Sequence, residues 1–158
     1  MIGIDRSLLT LEQILQATDG VHVLGPSSIT FTSVQTDSRN VEKDTLFVPL
    51  VGEMQDGHKY IPQAIEKGAS VIFIAKKNFE SDSSYFVNLY QGHNGVAFIA
   101  VDNTLTALQK AAGAYVEKFP HLVKIAVTGS SGKTTTKEIL VSLMKQKYNV
   151  ICNKGNLN

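Results

Sequence analysis

The run Lys124-Ile-Ala-Val-Thr-Gly-Ser-Ser-Gly-Lys-Thr-Thr-Thr-Lys137 constrains this chain more than any other stretch. An apolar, β-type segment at Ile125–Val127 meets a turn at Gly129-Ser-Ser-Gly132 and then a helical segment from Lys133 to Met144. Strand, glycine loop and helix in that order is the context in which backbone N–H groups and a helix N-terminus converge on anionic oxygens. The arrangement predicts binding of nucleotide phosphates by Gly129, Ser130, Ser131, Gly132, Lys133, Thr134 and Thr135. Lys133 is expected to reach the outer phosphates as a cation, and the Thr134 hydroxyl to ligate Mg²⁺. The longer form of such loops carries a glycine five residues before Gly132; Val127 stands there, so this is a shortened form.

Composition excludes several classes of function. With 43% hydrophobic and 18% charged residues the chain reads as globular rather than disordered. A net charge of +1 is no electrostatic footprint for nucleic acid or for an anionic membrane surface. The single cysteine, Cys152, forms no internal disulfide, which points to a reducing compartment. Neither a signal peptide nor a membrane-spanning run is expected. The histidines at 22, 58, 93 and 121 share no metal-ligand spacing with Cys152.

Along the chain, Thr10-Leu-Glu-Gln13 has capping-box spacing and predicts a helix from Leu11 to Ala17. Strands are expected at Val21–Leu24, Ile29–Thr36, Thr45–Val51, Ser70–Ala75 and Val96–Val101, with another after the glycine-loop helix at Asn149–Cys152. Helices are expected at His58–Lys67 and Leu105–Phe119, the second capped by Asp102 or Thr104. The segment from Lys76 to Asn94 reads as irregular, with a strand within Tyr85–Tyr90. Alternating strands and helices predict an α/β fold with parallel pairing. A domain boundary is placed at 101/102, giving residues 1–101 and 102–158. Asp37-Ser38-Arg39 follows a strand, where binding groups often sit: Arg39 suits a phosphate and Ser38 a sugar or phosphate oxygen. An Asx-type turn with a surface arginine explains the same residues and is favoured by spacing alone. His58 is read as a structural cap or a ligand contact.

Thr36-Asp-Ser-Arg39, Asp44 to Gly52, Asp56-Gly-His58, Tyr60 to Ala64, Gly68-Ala69, Val101 to Leu108 and Thr128 to Thr135 follow one another in an order and spacing that resemble the Mur ligases. These are the ATP-dependent amide-forming enzymes of bacterial peptidoglycan synthesis. The resemblance covers nearly the whole chain from about Leu11. It implies a small N-terminal α/β domain that binds UDP, at 1–101, followed by the start of a P-loop α/β domain that binds ATP, truncated at 158. Ser130-Ser131, Lys137-Glu138 and the terminal Gly155-Asn-Leu-Asn158 look most like the branch that joins D-alanyl-D-alanine to UDP-N-acetylmuramoyl-tripeptide through an acyl phosphate. By resemblance, Thr36, Ser38, Glu53, Met54, Gln55, Asn156 and Asn158 line the substrate, and ATP with Mg²⁺ sits on residues 129–135. D-Alanyl-D-alanine would bind outside this chain, which is expected to be inactive alone and cytoplasmic. Two other readings are a ligase of the branch that adds the third peptide residue, and a stand-alone UDP-sugar-binding module.

Overall fold

The computed structural model describes residues 7–53 and 55–153. It divides into two compact units, residues 1–120 and 121–158, each described by itself below. Met54, Asn156 and Asn158 lie outside the described residues.

The first unit is a five-stranded sheet with helices on both faces. Its strands are β1 (Val21–Leu24), β2 (Ser33–Gln35), β3 (Thr45–Phe47), β4 (Ala69–Ala75) and β5 (Ala97–Val101), in the order β1-β5-β4-β3-β2. β2 through β5 run parallel, with β4 and β5 in register from Val71↔Ala97 to Ala75↔Val101. β1 closes one edge antiparallel to β5. The helices are α1 (Leu11–Thr18), α2 (Ile61–Glu66), α3 (Lys76–Ser81), α4 (Ser83–Gln91) and α5 (Thr104–Glu117).

Alternation along the strands makes two cores, because successive side chains leave opposite faces. Val71, Phe73, Ala97, Ile99 and Val101 meet Ile14 of α1 and Ala107 and Ala111 of α5. Ile72, Ile74 and Phe98 meet Ile61, Ala64 and Ile65 of α2 and Phe86 of α4. Central parallel strands covered on both sides read as unbroken apolar runs, as β4 and β5 do. The α1 capping box forms: Gln13 N–H donates to Thr10 Oγ1 at 3.2 Å, and Thr10 N–H to Gln13 Oε1 at 3.0 Å. Gly68, at φ 103°, turns the chain from α2 into β4.

Several expectations are corrected. Of Ile29–Thr36 only Ser33–Gln35 joins the ladder; Ile29 and Phe31 are buried, but the Phe31 carbonyl accepts from Leu8 and Thr32 N–H donates to Asp44. The third strand stops at Phe47 rather than Val51, two residues before Pro49, which has no N–H to give. Lys76 to Gln91 forms two helices and no strand: Asp82 caps α4 by accepting from Tyr85 N–H at 3.1 Å, and Phe79, Phe86, Leu89 and Tyr90 turn to the core. Asn103, not Asp102 or Thr104, caps α5, accepting from Thr106 N–H at 2.9 Å. α5, which the sequence reading assigns to the second domain, lies in the first compact unit with its alanines in the core.

The second unit holds α6 (Lys133–Met144) and the glycine loop before it. The strands expected at Ile125–Val127 and Asn149–Cys152 do not form: both segments are without ladder pairing. A strand is defined by a hydrogen-bonded neighbour, and the described residues of this unit supply none. No helix among the described residues is long and apolar enough to cross a membrane.

Candidate functional site

In the first unit the loops that follow β2 and β3 meet the start of α2 and enclose a polar cleft of about 580 Å³. In parallel α/β sheets the carboxyl ends of the strands are where ligands bind. Thr36, Asp37, Ser38, Arg39, Gln55, Tyr60 and Gln63 line it. The structure thus gathers three of the predicted substrate residues, Thr36, Ser38 and Gln55. Glu53 is exposed and outside the lining.

The cleft has a defined hydrogen-bond order. Asp37 caps a single 3-10 turn, Ser38–Asn40, by accepting from Arg39 N–H at 2.9 Å. The Arg39 guanidinium folds back onto the same carboxylate, Nε to Oδ1 at 3.0 Å and Nη2 to Oδ2 at 2.7 Å. Those side-chain bonds, helped by the Arg39 backbone N–H, hold the Asp37 carboxyl down at about 2, against an ordinary 3.8. The turn chemistry inferred from spacing is therefore present, and it coexists with the cleft. Ser38 is buried, and its hydroxyl donates to Gln63 Oε1 at 2.6 Å. Tyr60 Oη donates to Gln55 Oε1 at 3.1 Å. Tyr60 and Gln63 were missed in the sequence. They lie 22 and 25 residues beyond Ser38, and only the fold brings them to it.

Beside the cleft, His58 settles into a structural role. It is 6% exposed, and its Nε2 accepts the Ala75 N–H at the end of β4 at 2.9 Å. The ring proton therefore sits on Nδ1, where it is donated to Asp56. Asp56 also accepts from His58 N–H at 2.9 Å and from the Asn78 amide at 3.0 Å. Burial raises the Asp56 carboxyl, but the His58 and Asn78 donors outweigh it and leave its pKa below the ordinary value.

In the second unit, Gly129 and Gly132 take φ values of 147° and 75°, conformations that favour glycine. The N-cap of α6 is Gly132, which makes no side-chain capping bond. Thr136 N–H makes an early helical bond, to the Gly132 carbonyl at 2.9 Å. Lys133 curls back, its ammonium donating to the Gly129 carbonyl at 2.7 Å. An exposed, glycine-lined helix N-terminus with a lysine at its mouth fits an oligophosphate. Among the described residues no three His, Cys, Asp or Glu side chains cluster as metal ligands. Thr134, the one predicted metal contact, stands in the first turn of α6.

The sequence profile described as "Mur ligase family, catalytic domain" matches residues 30–116, more than half of the chain. The UDP-N-acetylmuramoyl-tripeptide–D-alanyl-D-alanine ligase of Treponema pallidum is 38% identical over 152 residues, which is 96% of this chain and 32% of that protein. A crystal structure of MurF from Acinetobacter baumannii superposes with a TM-score of 0.74 at 30% identity, covering 94% of this chain and 30% of that one. The MurF ligase from Thermotoga maritima, solved in complex with ADP, gives 0.59 at 34% identity, covering 80% and 26%. This chain thus spans about a third of the length of these relatives or less. A profile that covers most of the sheet unit, and relatives alike in both sequence and backbone, establish that the chain belongs to the Mur ligase family.

Proposed function

We propose that this chain is the N-terminal part of an ATP-dependent, cytoplasmic ligase that joins D-alanyl-D-alanine to UDP-N-acetylmuramoyl-tripeptide. The observation that carries the reading is the glycine loop: two glycines at positive φ, one of them the N-cap of a twelve-residue helix, and Lys133 at its mouth. The ADP bound to the Thermotoga relative supports a nucleotide there. The first unit, extending through α5 to Pro120, takes the UDP end of the substrate, with Thr36, Ser38 and Gln55 in contact; Glu53 and Met54 belong to the same reading as substrate residues.

The reaction this implies has two steps. The terminal carboxylate of the UDP-muramoyl peptide attacks the γ-phosphorus of ATP; the bond to the bridging oxygen breaks and ADP leaves. The amine of D-alanyl-D-alanine then attacks the acyl carbon, phosphate departs, and the ammonium proton is lost as the amide forms. Negative charge spreads over the transferring phosphoryl group, so its stabilisation is electrostatic. Gly129 through Thr135 supply backbone N–H groups, and Lys133 leaves the Gly129 carbonyl for the phosphate oxygens. Thr134 would hold Mg²⁺, which neutralises phosphate charge when bound. Asn156 and Asn158 belong to the same reading as substrate contacts.

Titration calorimetry of the chain tests it. UDP-N-acetylmuramoyl-tripeptide is expected to bind, and Lys133→Ala to abolish binding of Mg·ATP while leaving the UDP ligand unaffected. A chain that binds neither ligand refutes the proposal. A preference for the dipeptide nucleotide over the tripeptide moves it to the branch that adds the third residue.

A further inference from the structure

Three features of the cleft bear on which part of a UDP-bearing ligand it takes. First, its charges cancel. Arg39 is the one cation in the lining and Asp37 the one carboxylate, and they are bound to each other. The nearby Lys67 ammonium is spent on the Arg39 carbonyl at 2.6 Å. A neutral heterocycle suits such a surface better than a diphosphate. Second, the Tyr60 ring contributes an aromatic wall, with the Lys59 ammonium 4.9 Å from its centroid. Third, the polarity of the buried hydroxyl is fixed. A serine has one proton to donate, and Ser38 donates it to Gln63 Oε1. Toward a ligand Ser38 is then only an acceptor. With its oxygen committed, the Gln63 carboxamide turns N–H donors to the same place. Gln55 is arranged alike, its oxygen taken by Tyr60 Oη and its amide N–H groups left to donate.

We infer that Gln63 is a specificity-determining residue of this cleft: by fixing Ser38 as an acceptor beside its own amide donor, it selects uracil over cytosine. The inference rests on the UDP-binding reading above. Uracil presents an N–H flanked by two carbonyls, and meets an acceptor flanked by donors. Cytosine presents a ring nitrogen lone pair beside an amino group. Its lone pair would face the Ser38 oxygen and its N–H groups the Gln63 amide. A site built to hydrogen-bond one pattern disfavours the other, because its polar groups are left unpaired.

The test is calorimetric titration of the chain, as wild type, Gln63→Glu and Gln63→Ala, with UDP and with CDP, alongside thermal melts. Gln63→Glu keeps an acceptor for the buried Ser38 hydroxyl and is expected to melt as wild type does, while Gln63→Ala removes that acceptor and is expected to melt somewhat lower. The wild type is expected to prefer UDP by at least about tenfold, the value of one well-made hydrogen bond. Gln63→Glu still accepts the Ser38 proton but has no amide donor. It is expected to lose that tenfold toward UDP and to bind CDP no worse than wild type, since its second carboxylate oxygen accepts from the cytosine amino group, bringing the ratio to about one or below. Gln63→Ala frees the Ser38 proton and is expected to erase the preference too. A structural role alone would lower both affinities together and keep the ratio. An unchanged ratio with UDP still bound, or a wild type indifferent between the two, overturns the inference and leaves the functional reading standing. A wild type that binds neither nucleotide overturns both.

Discussion

Asp37 and Asp56 are held ionised by donors that exist only in the folded chain. Asp37 owes this to Arg39; Asp56 owes it to His58 and Asn78 against the cost of burial. Both folded pKa values lie below the unfolded ones, so the unfolded state binds more protons as acid is added. Their contribution to stability is complete above the ordinary carboxyl value of 3.8 and is lost as pH falls, for Asp37 through about 2. Urea midpoints measured from pH 6 down to pH 2.5 are expected to fall in the acid half of that range. Asp56→Asn is expected to start lower and to flatten the decline; an unaltered slope would contradict the assignment. Of these residue-scale features, Asp37 beside Arg39 was legible in the sequence because turn partners are two residues apart. The Ser38–Gln63 and His58–Ala75 bonds were not, since they join residues 25 and 17 apart that only a finished sheet brings together.

Among the elements, glycines separate folding from binding. Gly113 sits in α5 with open space where a Cβ would go. Gly113→Ala is expected to stabilise the first unit by about 0.5–1 kcal/mol, read from its urea midpoint. Gly132 also has nothing near a Cβ, but its φ of 75° costs any other residue roughly 1–2 kcal/mol. Gly132→Ala is expected to leave the melt of the sheet unit unchanged and to weaken Mg·ATP in calorimetry. At Gly25, with φ 97°, a Cβ would stand 2.2 Å from the Val96 carbonyl oxygen. Gly25→Ala is expected to lower the melting temperature or the soluble yield sharply. Signals contained within one element were readable beforehand: the Thr10 capping box and the glycine loop. α4 was misread because Tyr85, Phe86, Val87 and Tyr90 favour strands by propensity, and the Asp82 cap with burial of Phe86 overrode it. The Ile125–Val127 run is apolar enough for a strand, yet pairing is a property of two segments, not one.

Across the whole chain, both buried cores belong to the first unit, and α5 is part of it. The second unit leaves Ile125, Ile139, Leu143, Tyr148 and Ile151 exposed. A chain ending at Pro120 is expected to melt cooperatively, to keep UDP affinity within about twofold and to lose Mg·ATP, because the cleft lining lies within residues 36–63. Ending it at Val101 instead is expected to unfold it, since Ala107 and Ala111 leave the core; circular dichroism compares the two. At this scale the sheet has one further property. β4 is as oily on one side as on the other, Val71 and Phe73 against Ile72 and Ile74. Water aversion therefore does not object if the strand slides by a single residue and trades its faces. What locates it are its two ends, the Gly68 turn and the N–H of Ala75 gripped by His58, like a shaft seated between two bearings. A slip of one notch is about 3.3 Å. That is longer than the 2.6 Å bond that orients Ser38, so a cleft made of hydrogen bonds inherits its tolerance from a histidine that need never touch the ligand.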